Sequence, residues 1–395
     1  MKNKYELLAP AGSFETLNAA VNAGADAVYF GLKHFSMRHN AKNFTIKDLD
    51  KINKICGKKV KKYLTLNTII YEGELKSLEE TIKKIKGKVD AIICWDLSVI
   101  KLCKKYKIPF HVSTQASISN SESAKFYKKL GAERIVLARE LNLKQIKEIK
   151  NKTKISLEAF CHGAMCVAVS GRCFMSQHLF GRSANRGMCT QPCRRQYTIT
   201  DSEGRQLNVE PHTIMSAKDL CTLPFIEKLK DAGITSFKIE GRNRDARYVD
   251  AVVKIYRKAL DKKLNKKEIE NLIKELKKVY TKGFSSGFYL GTPTSDDFSN
   301  VEHSSATHKK EFLGKITHYY PKASVGTVYI NTGKISVGDN IIITGKTTGI
   351  EKMKIERLEI KKKSVSLAKK GEEVGIKFPF RVRKNDDVYV VKENK

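Results

Sequence analysis

Over its first 240 residues the chain alternates short apolar runs with segments of helical period, and this alternation restricts the fold more than any other feature. Runs at Tyr5–Ala9, Ala27–Gly31, Tyr63–Asn67, Asp90–Trp95, Pro109–Thr114, Arg134–Ala138, Ile155–Phe160 and Ser236–Ile239 read as strands. Amphipathic stretches such as Leu75–Ile85, Ser121–Leu130 and Leu143–Ile149 fill the gaps as helices. Eight strands alternating with helices imply an α/β protein with a parallel sheet, and eight strands close a TIM-like (β/α)8 barrel. A doubly wound open sheet is the rival. The barrel is favoured because polar residues recur at strand C-terminal ends, among them Asn67, Gln115, Arg139, His162, Glu240 and Arg242. That rim is where barrel enzymes hold their sites.

The seventh and eighth strands are separated by residues 161–234, far longer than an ordinary connection. A hairpin is expected there from Gln196–Thr200 and Gln206–Val209, turning at Ser202-Glu203-Gly204, followed by a helix from about Ala217 to Ala232. The barrel domain with this insertion is expected to occupy residues 1–282, including helices at Tyr248–Leu260 and Lys266–Tyr280. Residues 283–311, rich in Gly, Ser and Thr, read as a linker. From Phe312 short alternating strands with turn glycines predict a small β-barrel over residues 312–395, resembling the second-domain barrel of translation elongation factors.

The insertion opens with five of the nine cysteines: Cys161, Cys166, Cys173, Cys189 and Cys193. Six residues separate Cys166 from Cys173 and three separate Cys189 from Cys193, so neither pair is the C-x2-C knuckle of structural zinc. Four thiolates on an irregular, glycine-containing segment suit a 4Fe–4S cluster. Zinc, with His162 or His178 lending nitrogen, and unliganded redox thiols remain alternatives. Cys56, Cys94 and Cys103 read as small buried hydrophobes, Cys161 as packing, and Cys221 as a reserve ligand. There is no G-x-S-x-G elbow and no H-E-x-x-H. Cys161 and His162 are strand neighbours expected to face opposite ways, which supplies no thiolate–imidazolium pair.

Charge bears on partners. Seventy-five Lys and Arg against 42 Asp and Glu leave a net charge of +33, which draws polyanions such as RNA. Arg172, Arg182, Arg186, Arg194 and Arg195 could neutralise phosphates or offset a thiolate-rich cluster, with Phe174, Phe180 and Tyr197 available to stack on an unpaired base. No run approaches a membrane span, and the N-terminus lacks a signal-peptide core. A cytoplasmic protein with reduced thiols and no membrane partner is expected.

Several spaced motifs resemble peptidase family U32, the collagenase-like proteases. They are Glu158–Ser176 (EAFCHGAMCVAVSGRCFMS), the N-terminal ELLAPAGSFETLNAAVNAGADAVYFG, VSTQAS at 112–117, NRGMCTQPCR at 185–194 and FKIEGR at 237–242. The resemblance continues into the C-terminal barrel. It implies an oxygen-independent RNA hydroxylase carrying a 4Fe–4S cluster, most similar to the branch that makes 5-hydroxyuridine at the tRNA wobble position with prephenate as hydroxyl donor. Hydroxylation of rRNA and U32-type peptidase activity are the alternatives, and a partner subunit of the same family is a further expectation. The implied ligands are Cys166, Cys173 and Cys189, with Cys193 as the choice for the fourth. Rim position nominates Arg38, Arg139 or Arg242 for the donor's carboxylates, with Asn67 beside them. It nominates Gln115, His162 and Glu240 for orientation or proton transfer.

Overall fold

The structure, a computed structural model, describes residues 3–39, 41–195, 197–208, 215–301 and 303–394. Eight parallel strands form the barrel: β1 (Glu6–Ala11), β2 (Ala27–Gly31), β3 (Lys61–Thr65), β4 (Ala91–Cys94), β5 (Phe110–Val112), β6 (Arg134–Val136), β7 (Ser156–Gly163) and β8 (Ser236–Ile239). Neighbours in sequence pair in space, and β8 pairs with both β7 and β1, which closes the ring. The short run Ala-Val-Tyr-Phe-Gly of β2 is buried throughout, as a parallel strand covered on both faces must be. Ser13 caps the first helix, Phe14–Asn22, in a reciprocal box with Thr16, so the chain turns sharply from β1 into its crossover.

Outward side chains such as Leu7, Val28, Phe30, Leu64 and Phe237 meet the helices in the main core. Leu8, Ala27, Tyr29, Tyr63, Ala91 and Ile93 form a separate small apolar cluster. Charge fills much of the barrel's inside. Lys238 Nζ bonds Glu158 Oε1 at 3.1 Å, and Arg134 Nη1 bonds Glu158 Oε2 at 3.1 Å. Arg134 also bonds Glu6, which accepts from Tyr63 Oη at 2.8 Å.

Two expectations need correction, one within the long excursion and one at residues 283–311. Residues 217–232 are not one helix: Asp219–Cys221 is a strand antiparallel to the end of β7, and the helix is only Ile226–Asp231. Pro224 lacks an amide hydrogen and restricts the residue before it, so a helix cannot run through from Ala217. The hairpin is present as Thr198–Thr200 against Gln206–Asn208, and its expected outer residues Gln196 and Val209 lie outside the described residues. The supposed linker is not a free tether. Phe284–Ser285 pairs in parallel with Asp219–Leu220, and Tyr289 Oη donates to the Phe160 carbonyl at 2.7 Å. Phe284, Phe288 and Tyr289 pack against the main core, so this stretch is laid across the barrel.

The C-terminal region begins with the strand His308–Tyr320, four residues earlier than the sequence suggested. It belongs to an eight-stranded antiparallel sheet around a second core that includes Leu313, Ile316, Val328, Ile343 and Val388. Lys352 Nζ meets Asp250 Oδ2 at 2.8 Å, and Lys310 Nζ meets Asp245 Oδ2 at 2.6 Å, where this region joins the barrel. Among the described residues no helix is long and apolar enough to cross a membrane.

Candidate active site

A cavity of about 420 Å³ opens at the C-terminal mouth of the barrel. Its floor is Tyr29, Phe160, Lys238 and Glu240 from the strands, and one wall is the cysteine segment. That segment is pressed onto the mouth at two glycines. Gly171, at φ +77°, would put a Cβ 2.7 Å from Gln115 Cγ; Gly187, at φ +89°, would put one 2.8 Å from the Ser36 carbonyl oxygen. Only glycine permits both the left-handed backbone and the approach. His39 N donates to the Gly187 carbonyl at 2.9 Å, and Arg186 bonds Glu74, fixing the segment to the barrel.

Cys166, Cys173, Cys189 and Cys193 all line this cavity. The Cys193 thiol is pushed up by burial and, against the pull of Arg194, by the nearby thiols of Cys166, Cys189 and Cys173. Cys189 Sγ accepts from Gln191 N at 3.4 Å and from Ser176 Oγ at 3.9 Å, the kind of donation that tunes a sulfur ligand. The donor set is therefore soft sulfur on one wall, which suits iron–sulfur chemistry. As placed, no group of three or more His, Cys, Asp or Glu among the described residues is set to hold a metal ion. Cys221, the reserve ligand, does not line the cavity: it is buried in the main core, with Tyr256 Oη 3.7 Å from its sulfur. Cys56, Cys94, Cys103 and Cys161 are buried in that core too.

The other nominated residues divide. Glu240 stands on the floor, with Arg38 Nε at 3.1 Å and Tyr29 Oη at 3.4 Å. Burial would raise its carboxyl, but Arg38, Arg139 and Arg242 outweigh burial and hold it at about 2. It is a fixed negative charge, suited to orienting and unsuited to proton transfer at neutral pH. Gln115 is buried, accepts from Ser113 Oγ and offers Nε2 to the Asn67 carbonyl at 3.4 Å. Asn67 lines the cavity too, but its Oδ1 accepts from Met37 N at 3.1 Å, which steadies the loop carrying Arg38.

Arg242 is spent within the protein. Its Nη1 bonds Ser36 Oγ at 2.8 Å and Thr65 Oγ1 at 3.0 Å, its Nη2 bonds the Met37 carbonyl, and burial draws its pKa down to about 10. Arg139 donates to the Ala164 carbonyl at 2.7 Å and lies 3.8 Å over the Phe160 ring.

His162 is a correction. It is absent from the cavity lining and packs among Tyr248, Tyr256 and Phe284, with Nδ1 3.3 Å from Tyr256 Oη. Burial drives its pKa down to about 3, so it stays neutral. The cause is a bulge: Lys238 pairs with Phe160, but Ile239 pairs with His162, and the extra residue turns His162 to the outer face. Cys161 sits in the outer core as well, its thiol pushed far up by burial, so the two make no activated nucleophile.

Lys238, Arg194 and Arg244 also line the cavity. Lys238 was overlooked, although its place two residues before Glu240 puts both on the same face of β8.

A family model described as peptidase family U32 matches residues 12–299. The chain belongs to peptidase family U32. It is 40% identical over 405 residues to a protein named collagenase from Porphyromonas gingivalis, with 98% of each chain covered. It is 30% identical over 389 residues to tRNA hydroxylation protein P of Escherichia coli, covering 86% of this chain and 85% of that one. With a 23S rRNA 5-hydroxycytidine synthase of Escherichia coli it shares 43% identity over 263 residues, 66% of this chain and 40% of the other.

Proposed function

We propose that this U32 protein hydroxylates a base in RNA, forming 5-hydroxyuridine at the tRNA wobble position with prephenate as hydroxyl donor. The observation that carries the reading is the similarity, over most of both chains, to a relative named for tRNA hydroxylation. Four thiols and several cationic side chains around a single cavity support it. Cys166, Cys173, Cys189 and Cys193 would hold a 4Fe–4S cluster, which supplies electron exchange when bound. Glu240, locked by Arg38, orients polar groups on the floor, and Gln115 supports the cysteine segment where Gly171 meets it. A flipped-out base would enter at the mouth, and the net charge of +33 would hold the RNA backbone there.

The test is mass spectrometry of tRNA nucleosides from a deletion strain and its complements. Nucleosides derived from 5-hydroxyuridine should disappear in the deletion, return with the wild-type chain and stay absent with Cys166→Ala. Unchanged levels in a deletion without a redundant pathway would remove the tRNA assignment. The collagenase name of the 98%-covered relative favours a second reading, peptidase activity. It requires cleavage of denatured collagen by pure protein, and Cys161 with His162 does not provide the machinery for it.

A further inference from the structure

Two arginines on the cavity wall are held in an unusual way. Arg139 Nη1 donates to the carbonyl of Ala164 at 2.7 Å, and Arg194 Nη2 donates to the carbonyl of the next residue, Met165, at 3.1 Å. Two guanidinium groups are thereby anchored to successive backbone carbonyls of the cysteine segment. Neither forms an ion pair among the described residues, and each keeps a buried nitrogen with no acceptor: Nε of Arg139 and Nη1 of Arg194. Arg194 is 8% exposed. A buried guanidinium nitrogen without an acceptor is costly, and although Glu240 feels the charge of Arg139 and Asp219 that of Arg194, neither carboxylate bonds its arginine, which leaves both groups able to take an anion. Of the other cationic groups in the lining, Arg38 is committed to Glu240, Lys238 to Glu158, and Arg242 to Ser36 and Thr65, while Arg244 lies 3.3 Å over the Tyr280 ring.

We infer that Arg139 and Arg194 together seat a carboxylate of a small organic acid, the co-substrate of this site. Bidentate forks suit a planar carboxylate, and Arg139 is pre-set by its stacking on Phe160. Phe160, Met165 and Val167 beside the pair offer an apolar surface to the acid's carbon body. In a cavity of about 420 Å³, with Arg194 only 8% exposed, the pair suits a small acid better than a phosphodiester held within a chain. The identity of the acid as prephenate rests on the hydroxylase reading; the anion seat does not.

The experiment is calorimetric titration of prephenate, which has two carboxylates, and phenylpyruvate, which has one, into anaerobically prepared full-length protein. Wild type is compared with Arg139→Gln, Arg194→Gln, Arg139→Lys and the exposed control Arg381→Gln, with iron content measured on every sample. The expected result is prephenate binding that weakens roughly tenfold to a hundredfold in each glutamine variant, less in Arg139→Lys, and not in Arg381→Gln, with iron unchanged. Phenylpyruvate should bind the wild type more weakly than prephenate does. Should a glutamine variant not fold, Arg139→Lys decides by the same comparison.

The inference is overturned if wild type does not bind prephenate, or if affinity stays within about twofold in the variants. Iron lost in step with affinity overturns it by assigning the pair to the cluster. Loss of tRNA binding with prephenate binding intact overturns it by assigning the pair to phosphate. If prephenate binding depends on both arginines while tRNA nucleosides do not change in the deletion strain, the hydroxylase reading falls and the anion seat stands.

Discussion

The two ends of the barrel's interior treat buried charge differently. Deep inside, Glu6, Arg134, Glu158 and Lys238 form a chain in which every charge touches an opposite one, and Glu158 is fully buried. Burial pushes the Glu158 carboxyl up, yet Lys238 and Arg134 prevail and keep it below its ordinary value. At the mouth Arg38 pairs with Glu240 and Arg242 is spent on hydroxyls and a carbonyl, but Arg139 and Arg194 donate to carbonyls without a carboxylate partner. Charge that is satisfied internally holds the fold, whereas charge that is left over is available to a ligand.

Substitution should separate the two regions by size of effect. Glu158→Gln leaves Arg134 and Lys238 without a full counter-charge and should cost about 3–5 kcal/mol in chemical denaturation. A loss below about 1 kcal/mol would break the contrast, because the interior network would then be no more structural than the mouth.

The outer wall of β7 supplies the next effect. His162, at about 3 when folded, lies below its ordinary value of 6.5 because of burial. The unfolded chain takes up this proton near 6.5 and the folded chain does not until about 3. Stability from this group is therefore full above pH 6.5 and is lost as pH falls toward 3, at about 1.4 kcal/mol per pH unit. His111, also depressed by burial, adds a slope of the same sign. His162→Gln should flatten the fall in stability between pH 6.5 and 4.5, and an unchanged slope would place His162 in contact with solvent or an acid.

Arg139→Gln and Arg194→Gln should each change stability by only about 1 kcal/mol, the worth of a hydrogen bond to a carbonyl. Smallest of all is Lys352→Ala at the join between barrel and C-terminal sheet. Lys352 is 47% exposed and Asp250 keeps Lys254 at 2.7 Å, so thermal denaturation should register less than about 1 kcal/mol.

Much of the architecture was legible because parallel strands buried on both faces leave short apolar runs, and eight of them can be located in the sequence. The cavity was legible to the extent that strand ends mark it: Gln115, Arg139, Glu240 and Arg242 all line it, as do Cys166, Cys173, Cys189 and Cys193. His162 was misread because a one-residue bulge reverses facing without changing composition. Residues 283–311 looked like a linker by their Gly, Ser and Thr content, while Phe284, Phe288 and Tyr289 carried the opposite signal. Arg139, from a barrel loop, and Arg194, from the far end of the cysteine segment, donate to the successive carbonyls of Ala164 and Met165, and no local pattern encodes such a meeting.

Iron and sulfide analysis of anaerobically prepared full-length protein tests the central claim most directly. The wild-type chain should carry roughly four iron and four sulfide and absorb in the visible. Cys166→Ala, Cys173→Ala, Cys189→Ala and Cys193→Ala should each lose most of that iron, and Cys221→Ala, whose sulfur lies in the core, should keep it. A colourless, iron-free wild type, or iron retained in all four cavity variants, would contradict the account.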